Sequence, residues 1–112
     1  MLENADLIEQ GSNIRAMFYW GHAVNSQTRG PEMKKAMQKL DMMVIVDPYP
    51  SASAVMPDRK EGVYLLPAAT QFETSGSCTA SNRSLQWRER VISPLFESQT
   101  DHAIMLAFAR KF

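Results

Sequence analysis

The sequence contains one cysteine and no long hydrophobic run, and both absences narrow what the protein can be. Cys78 has no second cysteine with which to form an internal disulfide, so packing alone must stabilise the fold. No apolar stretch approaches the length that crosses a bilayer, and the polar opening MLENADLIEQGSN lacks the basic-then-apolar pattern of a signal peptide. The sequence therefore predicts neither a disulfide scaffold nor a direct membrane segment.

An excess of charge of either sign is also absent. Twelve Lys and Arg residues balance twelve Asp and Glu residues. Nucleic-acid-binding proteins usually carry a strongly basic surface, so we expect no nucleic-acid partner. NRSLQWRER (82–90) places three arginines near Trp87 and resembles such a surface in isolation, but Glu89 and the neutral total favour a solvated or interface-facing strand.

The common sequence motifs of nucleotide and metal sites are missing as well. There is no G-x-G-x-x-G and no Walker loop, and the two histidines, His22 and His102, stand in no zinc-ligand spacing. His102 is predicted to lie on a helix surface. Cys78 could act as a nucleophile only beside a base that the sequence does not identify, so a buried or unreactive thiol is favoured. We predict no catalytic residue and no metal ligand in this chain.

Residues 14–47 carry the pattern of a strand, a helix and a second strand. IRAMFYW (14–20) is apolar and aromatic, and RGPEMKKAMQKLD (29–41) begins with Gly-Pro, which suits the first turn of a helix. MMVIV (42–46) is a continuous apolar run, typical of a strand covered on both faces. Together they predict a βαβ unit. Four apolar residues at helical spacing form one stripe on the helix: Met33, Ala36, Met37 and Leu40.

The rest of the chain predicts shorter elements around this unit. In chain order, we expect a helix over 2–10, a connector with one helical turn over 51–62, a strand over 63–69, a loop with some extended structure over 70–83, a strand over 84–91 and a helix over 100–112. Thr100 can cap the last helix, and we expect Ile104, Met105, Phe108 and Phe112 to form its inner face. The whole is an α/β chain with a small, mainly parallel sheet flanked by helices, in one segment over 1–112.

Polar groups follow the first two predicted strands at their carboxyl ends, where open parallel sheets bind ligands. Gly21, His22 and Asn25 follow the first strand, and Asp47 ends the second. The two carboxylate oxygens of Asp47 suit a ribose diol or a guanine edge. The alternative is that Asp47 accepts hydrogen bonds within the turn before Pro48. Both interpretations stay open on the sequence.

Four segments in this order resemble a known enzyme family: FYWGHAVNSQTRG, KLDMMVIVDPYPSASA, YLLPAATQFETSGSCTASNRSLQWRERV and SQTDHAIMLAFARKF. They are similar to the catalytic subunit of molybdopterin-dependent formate dehydrogenases, and more broadly to the bis-molybdopterin guanine dinucleotide oxidoreductases, which include periplasmic nitrate reductases. The resemblance covers nearly the whole chain. It implies a partial Rossmann-like three-layer domain that holds the pterin and guanine arms of the cofactor.

The resemblance also implies roles for particular residues. Gly21 and His22 match the loop that approaches the guanine dinucleotide, Val46 and Asp47 match a cofactor-contacting pair, and Asp101 matches an aspartate at the guanine end. Thr74 lies where the nitrate reductases place a cofactor-contacting lysine. That departure, together with HAVN where nitrate reductases carry a run of asparagines, favours the formate dehydrogenase resemblance. With Asn25, these are the seven predicted cofactor-binding residues.

The cofactor implied is bis-molybdopterin guanine dinucleotide with molybdenum or tungsten, and a 4Fe–4S cluster is expected upstream of this segment. The partners implied are the remainder of the catalytic subunit, an iron–sulfur electron-transfer subunit and the substrate formate. The cysteines of that cluster have no counterpart here, because a cubane cluster requires four thiolates. We expect an internal fragment that is inert alone. The alternatives are a segment of a related enzyme such as periplasmic nitrate reductase, and a stand-alone α/β binding module without catalysis.

Overall fold

The computed structural model describes residues 14–112, so the helix predicted over 2–10 lies outside the described residues. The chain groups into two compact units, Met1–Leu66 and Pro67–Phe112. The expectation of a single domain over 1–112 therefore stays a prediction. Within the described part, no helix is long and apolar enough to cross a membrane.

The first unit is built around a three-stranded sheet. Its described elements are, in chain order, β1 (Ala16–Trp20), a 3-10 helix (Val24–Ser26), α1 (Gly30–Gln38), β2 (Met42–Asp47), α2 (Ala52–Val55) and β3 (Val63–Pro67), whose last residue is the first residue of the second unit. The strand order is β1-β2-β3, and β1 pairs with β2 in parallel, from Ala16 opposite Met42 to Trp20 opposite Val46. The predicted βαβ unit, the helical turn in the connector and the third strand are confirmed.

The apolar run of β2 forms the centre of this unit because β2 is the middle strand of the sheet. Its four residues from Met43 to Val46 are all buried. Met43 and Ile45 share one core cluster with Met37, and Ala36 and Met37 of α1 are buried as the predicted stripe requires. Lys35 on the same helix is exposed. Burying apolar residues on both faces of a strand is the expected use of a continuous apolar run.

Arg59 closes the carboxyl end of α1. Its guanidinium donates hydrogen bonds to the carbonyl oxygens of Met37, Leu40 and Asp41, which lie in the last turn of the helix and just beyond it. Gly62 lies next to Asp41 and Arg59 and adopts a left-handed φ of 72°. A Cβ at Gly62 would overlap the Asp41 carbonyl oxygen and lie 2.7 Å from Arg59 Nη2. Only glycine fits both the conformation and the space.

We therefore expect Gly62→Ala to destabilise the chain by more than the roughly 1–2 kcal/mol that a left-handed φ costs a residue with a Cβ, because the overlap with Asp41 adds to the strain. The free energy of unfolding from urea denaturation measures the effect. Gly76→Ala is the matched control, since a Cβ there meets nothing within 4 Å. Equal stability of the two variants would contradict this account of Gly62.

The second unit contains a hairpin and a helix. Its described elements are β4 (Gly76–Thr79), β5 (Leu85–Arg88) and α3 (Asp101–Ala109). β4 and β5 pair antiparallel in a two-stranded sheet of their own. The extended structure predicted within 70–83 and the strand predicted over 84–91 are therefore both present. The α/β class with a small, mainly parallel sheet is confirmed.

Helix α3 begins with the predicted cap, but the side chains that it buries differ from those predicted. Thr100 Oγ1 accepts a hydrogen bond from the Ala103 N–H at 3.2 Å, which confirms the cap. Ile104 is buried, whereas Met105 is 50% exposed and Phe112 is 102% exposed. The prediction that Met105 and Phe112 lie on the inner face is wrong. The helix carries apolar residues on every side, so periodicity could not select one face.

A buried carboxylate organises the loop that precedes α3. Glu73 is almost completely inaccessible, and its oxygens accept hydrogen bonds from the Thr70 N–H at 2.6 Å and the Leu95 N–H at 2.8 Å. These backbone donors, Thr70 first, lower the pKa of the Glu73 carboxyl below its ordinary value. Further along, Ala68 and Gln99 form a parallel bridge, with Gln99 N–H donating to the Pro67 carbonyl at 3.1 Å. Hydrogen bonds therefore hold the segment before α3 both at Glu73 and at Gln99.

We expect Glu73→Gln to lower the free energy of unfolding at neutral pH. We also expect that free energy to change less with pH in the acidic range than it does in the wild-type chain. A carboxyl whose folded pKa is lowered stabilises the fold above its ordinary pKa and loses that contribution as the pH falls through the folded value. The wild-type chain should therefore lose stability from about pH 5 downward more steeply than the variant. Unfolding free energies measured across that range test this. Glu97→Gln, which changes an exposed carboxylate of the same unit, is the control.

Candidate functional site

The ends of β1 and β2 meet at one edge of the sheet. Because the strands are parallel and Trp20 lies opposite Val46, the residues that follow each strand are neighbours. The Gly21 N–H donates to the Val46 carbonyl at 2.9 Å, which joins the two ends directly. Gly21 adopts a left-handed φ of 57°, and a Cβ there would point into open space. The backbone at Gly21 is therefore accessible to a ligand.

Ser53 holds the loop that follows Gly21. Its side chain is fully buried, and its hydroxyl donates to the His22 carbonyl at 2.5 Å while accepting from the Val24 N–H at 3.3 Å. One hydroxyl in α2 therefore fixes the path of the backbone on both sides of Ala23. Sequence reasoning missed this residue. The available signal was the run of small residues after Asp47, since a small polar side chain suits a buried contact between two loops.

The His22 side chain projects from this loop and is exposed. Its Nε2 lies 3.2 Å from Gln27 Nε2, and its ring stacks on Tyr19 with centroids 6.3 Å apart and planes at 12°. Tyr19 and Gln27 were also missed by sequence reasoning, because neither stands at a recognisable spacing. Together they restrict the orientation of the His22 ring.

A cleft of about 410 Å³ opens beside this loop. It is lined by residues of β1, the loop after it and α1: Met17, Phe18, Tyr19, Trp20, His22, Val24, Gln27 and Met33. The Tyr19 hydroxyl is buried with no hydrogen-bond partner within the described structure. Burial raises the pKa of Tyr19, because removal from water disfavours the phenolate. The Tyr19 hydroxyl is therefore a neutral donor.

Asp47 ends β2 at the same sheet edge. It is half-buried, and its Oδ1 accepts a hydrogen bond from the Tyr49 N–H at 3.1 Å. This contact is the hydrogen bond within the turn that the sequence analysis gave as the alternative role of Asp47. It uses one oxygen, and a carboxylate oxygen pair has about four acceptor positions. The nucleotide interpretation therefore stays a prediction that the turn does not preclude.

The seven predicted residues fall into both units. Gly21, His22, Val46 and Asp47 are brought together at one sheet edge, and the backbone of Asn25 belongs to the 3-10 helix of the adjoining loop. The other two lie in the second unit: Thr74 is half-buried next to Glu73, and Asp101 is the exposed first residue of α3.

The remaining candidates from the sequence have ordinary surroundings. His102 is exposed on α3, as predicted. Cys78 is half-buried in β4, with its Sγ 4.0 Å from Gln86 Oε1. Trp87 is exposed on β5 and its Nε1–H donates to Glu89 at 2.5 Å, which agrees with a solvated or interface-facing strand. Among residues 14–112, no three His, Cys, Asp or Glu side chains cluster as metal ligands would.

Comparison with known proteins assigns the family. The model of the molybdopterin oxidoreductase family matches residues 2–111, so the chain belongs to that family. The members of this family are oxidoreductases with a molybdopterin-type cofactor.

Three curated relatives show the range of enzymes that this chain is similar to. It is 34% identical over 84 residues to the trimethylamine-N-oxide reductase of Vibrio cholerae, covering 72% of this chain and 10% of that protein. It is 30% identical over 103 residues to the periplasmic nitrate reductase of Campylobacter fetus, covering 88% of this chain and 10% of that protein. It is 29% identical over 106 residues to the F420-dependent formate dehydrogenase subunit alpha of Methanocaldococcus jannaschii, covering 92% of this chain and 15% of that protein. The chain thus spans about a tenth of the length of the relatives it matches.

The residues at the sheet edge present groups that suit a polar ligand. Gly21 leaves open space beside a backbone that can approach a phosphate or sugar closely, and Asp47 presents a carboxylate acceptor next to it. An acceptor and an open backbone at the ends of parallel strands are groups that suit a polar ligand.

Two serines in one segment provide a test of how the loop is held. We expect Ser53→Ala to destabilise the chain by about 1–3 kcal/mol, because it removes a donor and an acceptor from buried backbone groups. Ser51→Ala is the matched control, since the Ser51 hydroxyl is buried with no partner in the described structure and its removal leaves no group unpaired. Urea denaturation of both variants measures the difference. Equal effects would show that Ser53 does not hold the loop.

Proposed function

We propose that the chain is a segment of the catalytic subunit of a molybdopterin-dependent formate dehydrogenase, in which it contacts the guanine dinucleotide end of the cofactor. One observation supports the cofactor role above the others. The parallel pairing of β1 with β2 brings Gly21 and Asp47 to one sheet edge through the Gly21–Val46 hydrogen bond of 2.9 Å. Open α/β sheets bind nucleotides at such an edge.

Each residue of the first unit has a distinct role in this proposal. Gly21 allows the nucleotide to approach the backbone, and the Asp47 oxygen not used by Tyr49 accepts from the guanine edge or the ribose diol. His22 lies beside the nucleotide in an orientation limited by Gln27 and Tyr19. Asn25 is a further candidate because its backbone belongs to the 3-10 helix of the same loop. Val46 acts through its backbone carbonyl, which positions Gly21.

The second unit contributes Thr74 and Asp101 in the proposal. Asp101 binds the guanine end, as the matching aspartate does in the resembled family. Thr74 replaces a lysine of the nitrate reductases and makes a weaker contact or none, since a hydroxyl carries no charge. This difference and the HAVN segment favour a formate dehydrogenase over a nitrate reductase.

The cofactor, a bis-molybdopterin guanine dinucleotide with molybdenum or tungsten, supplies the two-electron oxidation of formate to carbon dioxide when bound. The residues of this chain bind and orient its nucleotide arm and exchange no proton with the substrate. The chain alone is then catalytically inert. The remainder of the subunit, its 4Fe–4S cluster and an iron–sulfur electron-transfer subunit complete the enzyme.

Periplasmic nitrate reductase is the second candidate, supported by the relative from Campylobacter fetus. A third is a stand-alone α/β binding module. Blotting an extract of the source organism with an antibody to this chain separates the third from the others. A band far larger than 12.6 kDa supports a subunit segment, and a band of that size supports the stand-alone module. Assaying the larger protein with formate and with nitrate then separates the two enzymes.

We expect Asp47→Asn in the full-length protein to lower the content of metal and of guanine nucleotide released on denaturation. An amide presents a donor where the carboxylate accepted, and a charge-assisted hydrogen bond contributes about 1.5–3 kcal/mol. Metal analysis and nucleotide chromatography measure the loss.

Asp58→Asn is the matched control. Asp58 is exposed, with a left-handed φ of 51° that asparagine tolerates, and its carboxylate forms only a loose pair with Lys34 at 3.8 Å. Its substitution should leave both contents unchanged. Full nucleotide and metal content in the Asp47 variant would refute the proposed contact.

A further inference from the structure

Phe96 has a combination of properties that this chain does not explain. Its side chain is 102% exposed, and its backbone adopts a left-handed φ of 52°. That conformation favours glycine, asparagine and aspartate, and it is uncommon for a bulky residue. An aromatic ring in water at a strained position stabilises nothing within the described structure. Such an outlier is a reason to look for a function outside the fold.

The turn that carries Phe96 is firmly held. Leu95 N–H donates to the buried Glu73 carboxylate at 2.8 Å, and the Leu95 carbonyl accepts from the Ser98 N–H at 3.0 Å and from its hydroxyl at 2.6 Å. Gln99 N–H then donates to the Pro67 carbonyl at 3.1 Å. The backbone on both sides of Phe96 is therefore anchored, and the ring is presented by an ordered turn. A preorganised aromatic residue loses little entropy on binding.

Further apolar side chains precede the turn. Val91, Ile92 and Leu95 are all exposed, so the residues from Val91 to Phe96 form an apolar segment with no polar side chain larger than Ser93. We call residues 91–96 the Phe96 segment. Its chain path is also fixed, because the Val91 and Ile92 N–H groups both donate to the Phe72 carbonyl, at 2.9 and 3.1 Å. An exposed apolar segment of this kind marks a contact surface.

We propose that the Phe96 segment packs into an apolar pocket formed by another part of the same longer polypeptide. This inference rests on the proposed function, in which the chain is a segment of a larger subunit. The matched relatives devote 10–15% of their length to the region that resembles this chain, so most of such a polypeptide is available to cover the segment. The ring of Phe96 is the anchor, because buried aromatic residues dominate the energetics of such contacts.

The first test uses hydroxyl-radical footprinting of the full-length protein from the source organism. Oxidation of Phe96 is read by mass spectrometry in the native and in the denatured protein. We expect native Phe96 to react severalfold more slowly. Equal rates would overturn the proposal, and so would protection that disappears on dilution, because a second copy would then cover the segment. Detection of the protein only at 12.6 kDa would also overturn it.

The second test compares one substitution in two contexts. Phe96→Asn relieves the left-handed strain, so the thermal midpoint of the 112-residue chain should stay the same or rise. In the full-length protein the anchor is lost, and the midpoint should fall. The matched control is Arg83→Asn, an exposed residue of the same unit with a φ of 68°, which should act in the same direction in both contexts. The same response to Phe96→Asn in both contexts would contradict the proposal.

Failure of this inference and failure of the proposed function are distinguishable. Phe96→Asn should leave the guanine nucleotide released per folded polypeptide unchanged, because the segment is not assigned to the cofactor. A protected Phe96 in a protein that contains no guanine nucleotide would support the packing and refute the cofactor role. An unprotected Phe96 in a protein with full nucleotide content would refute the packing and support the cofactor role.

Discussion

The parallel pairing of β1 with β2 is the constraint on which the first unit depends. It requires a crossover, which α1 provides, and it buries the apolar run of β2 in the middle of the sheet. It also brings the carboxyl ends of the two strands together, where the Gly21 N–H meets the Val46 carbonyl. The same pairing that forms the core therefore brings Gly21 and Asp47 to one edge of the sheet.

Small polar contacts also order the loops at this sheet edge. The Ser53 hydroxyl fixes the loop after β1, and the Tyr49 N–H fixes one oxygen of Asp47. At the other end of the unit, Arg59 donates hydrogen bonds to carbonyl groups just beyond α1. Each contact uses a buried or half-buried polar group that would destabilise the fold if left unpaired. The second unit follows the same principle, since the Glu73 carboxylate organises the turn that presents Phe96.

Much of the fold was predictable because its signals are local. A continuous apolar run predicted β2, Gly-Pro predicted the start of α1, and Thr100 predicted the cap of α3. The positions of Gly21 and Asp47 at strand ends were equally local. The roles of Ser53 and Tyr19 were not predictable, because each depends on a partner far away in the chain or on burial that no short motif encodes.

The sequence by itself determined the element types, the family and the residues offered at the strand ends, because these follow from local periodicity, turn chemistry and ordered motifs. Only the tertiary structure decided that β4 and β5 form a separate antiparallel sheet and that α3 buries Ile104 while exposing Met105. Strand partners and buried faces depend on contacts between distant residues, and a helix that is apolar on every side carries no information about which side is covered.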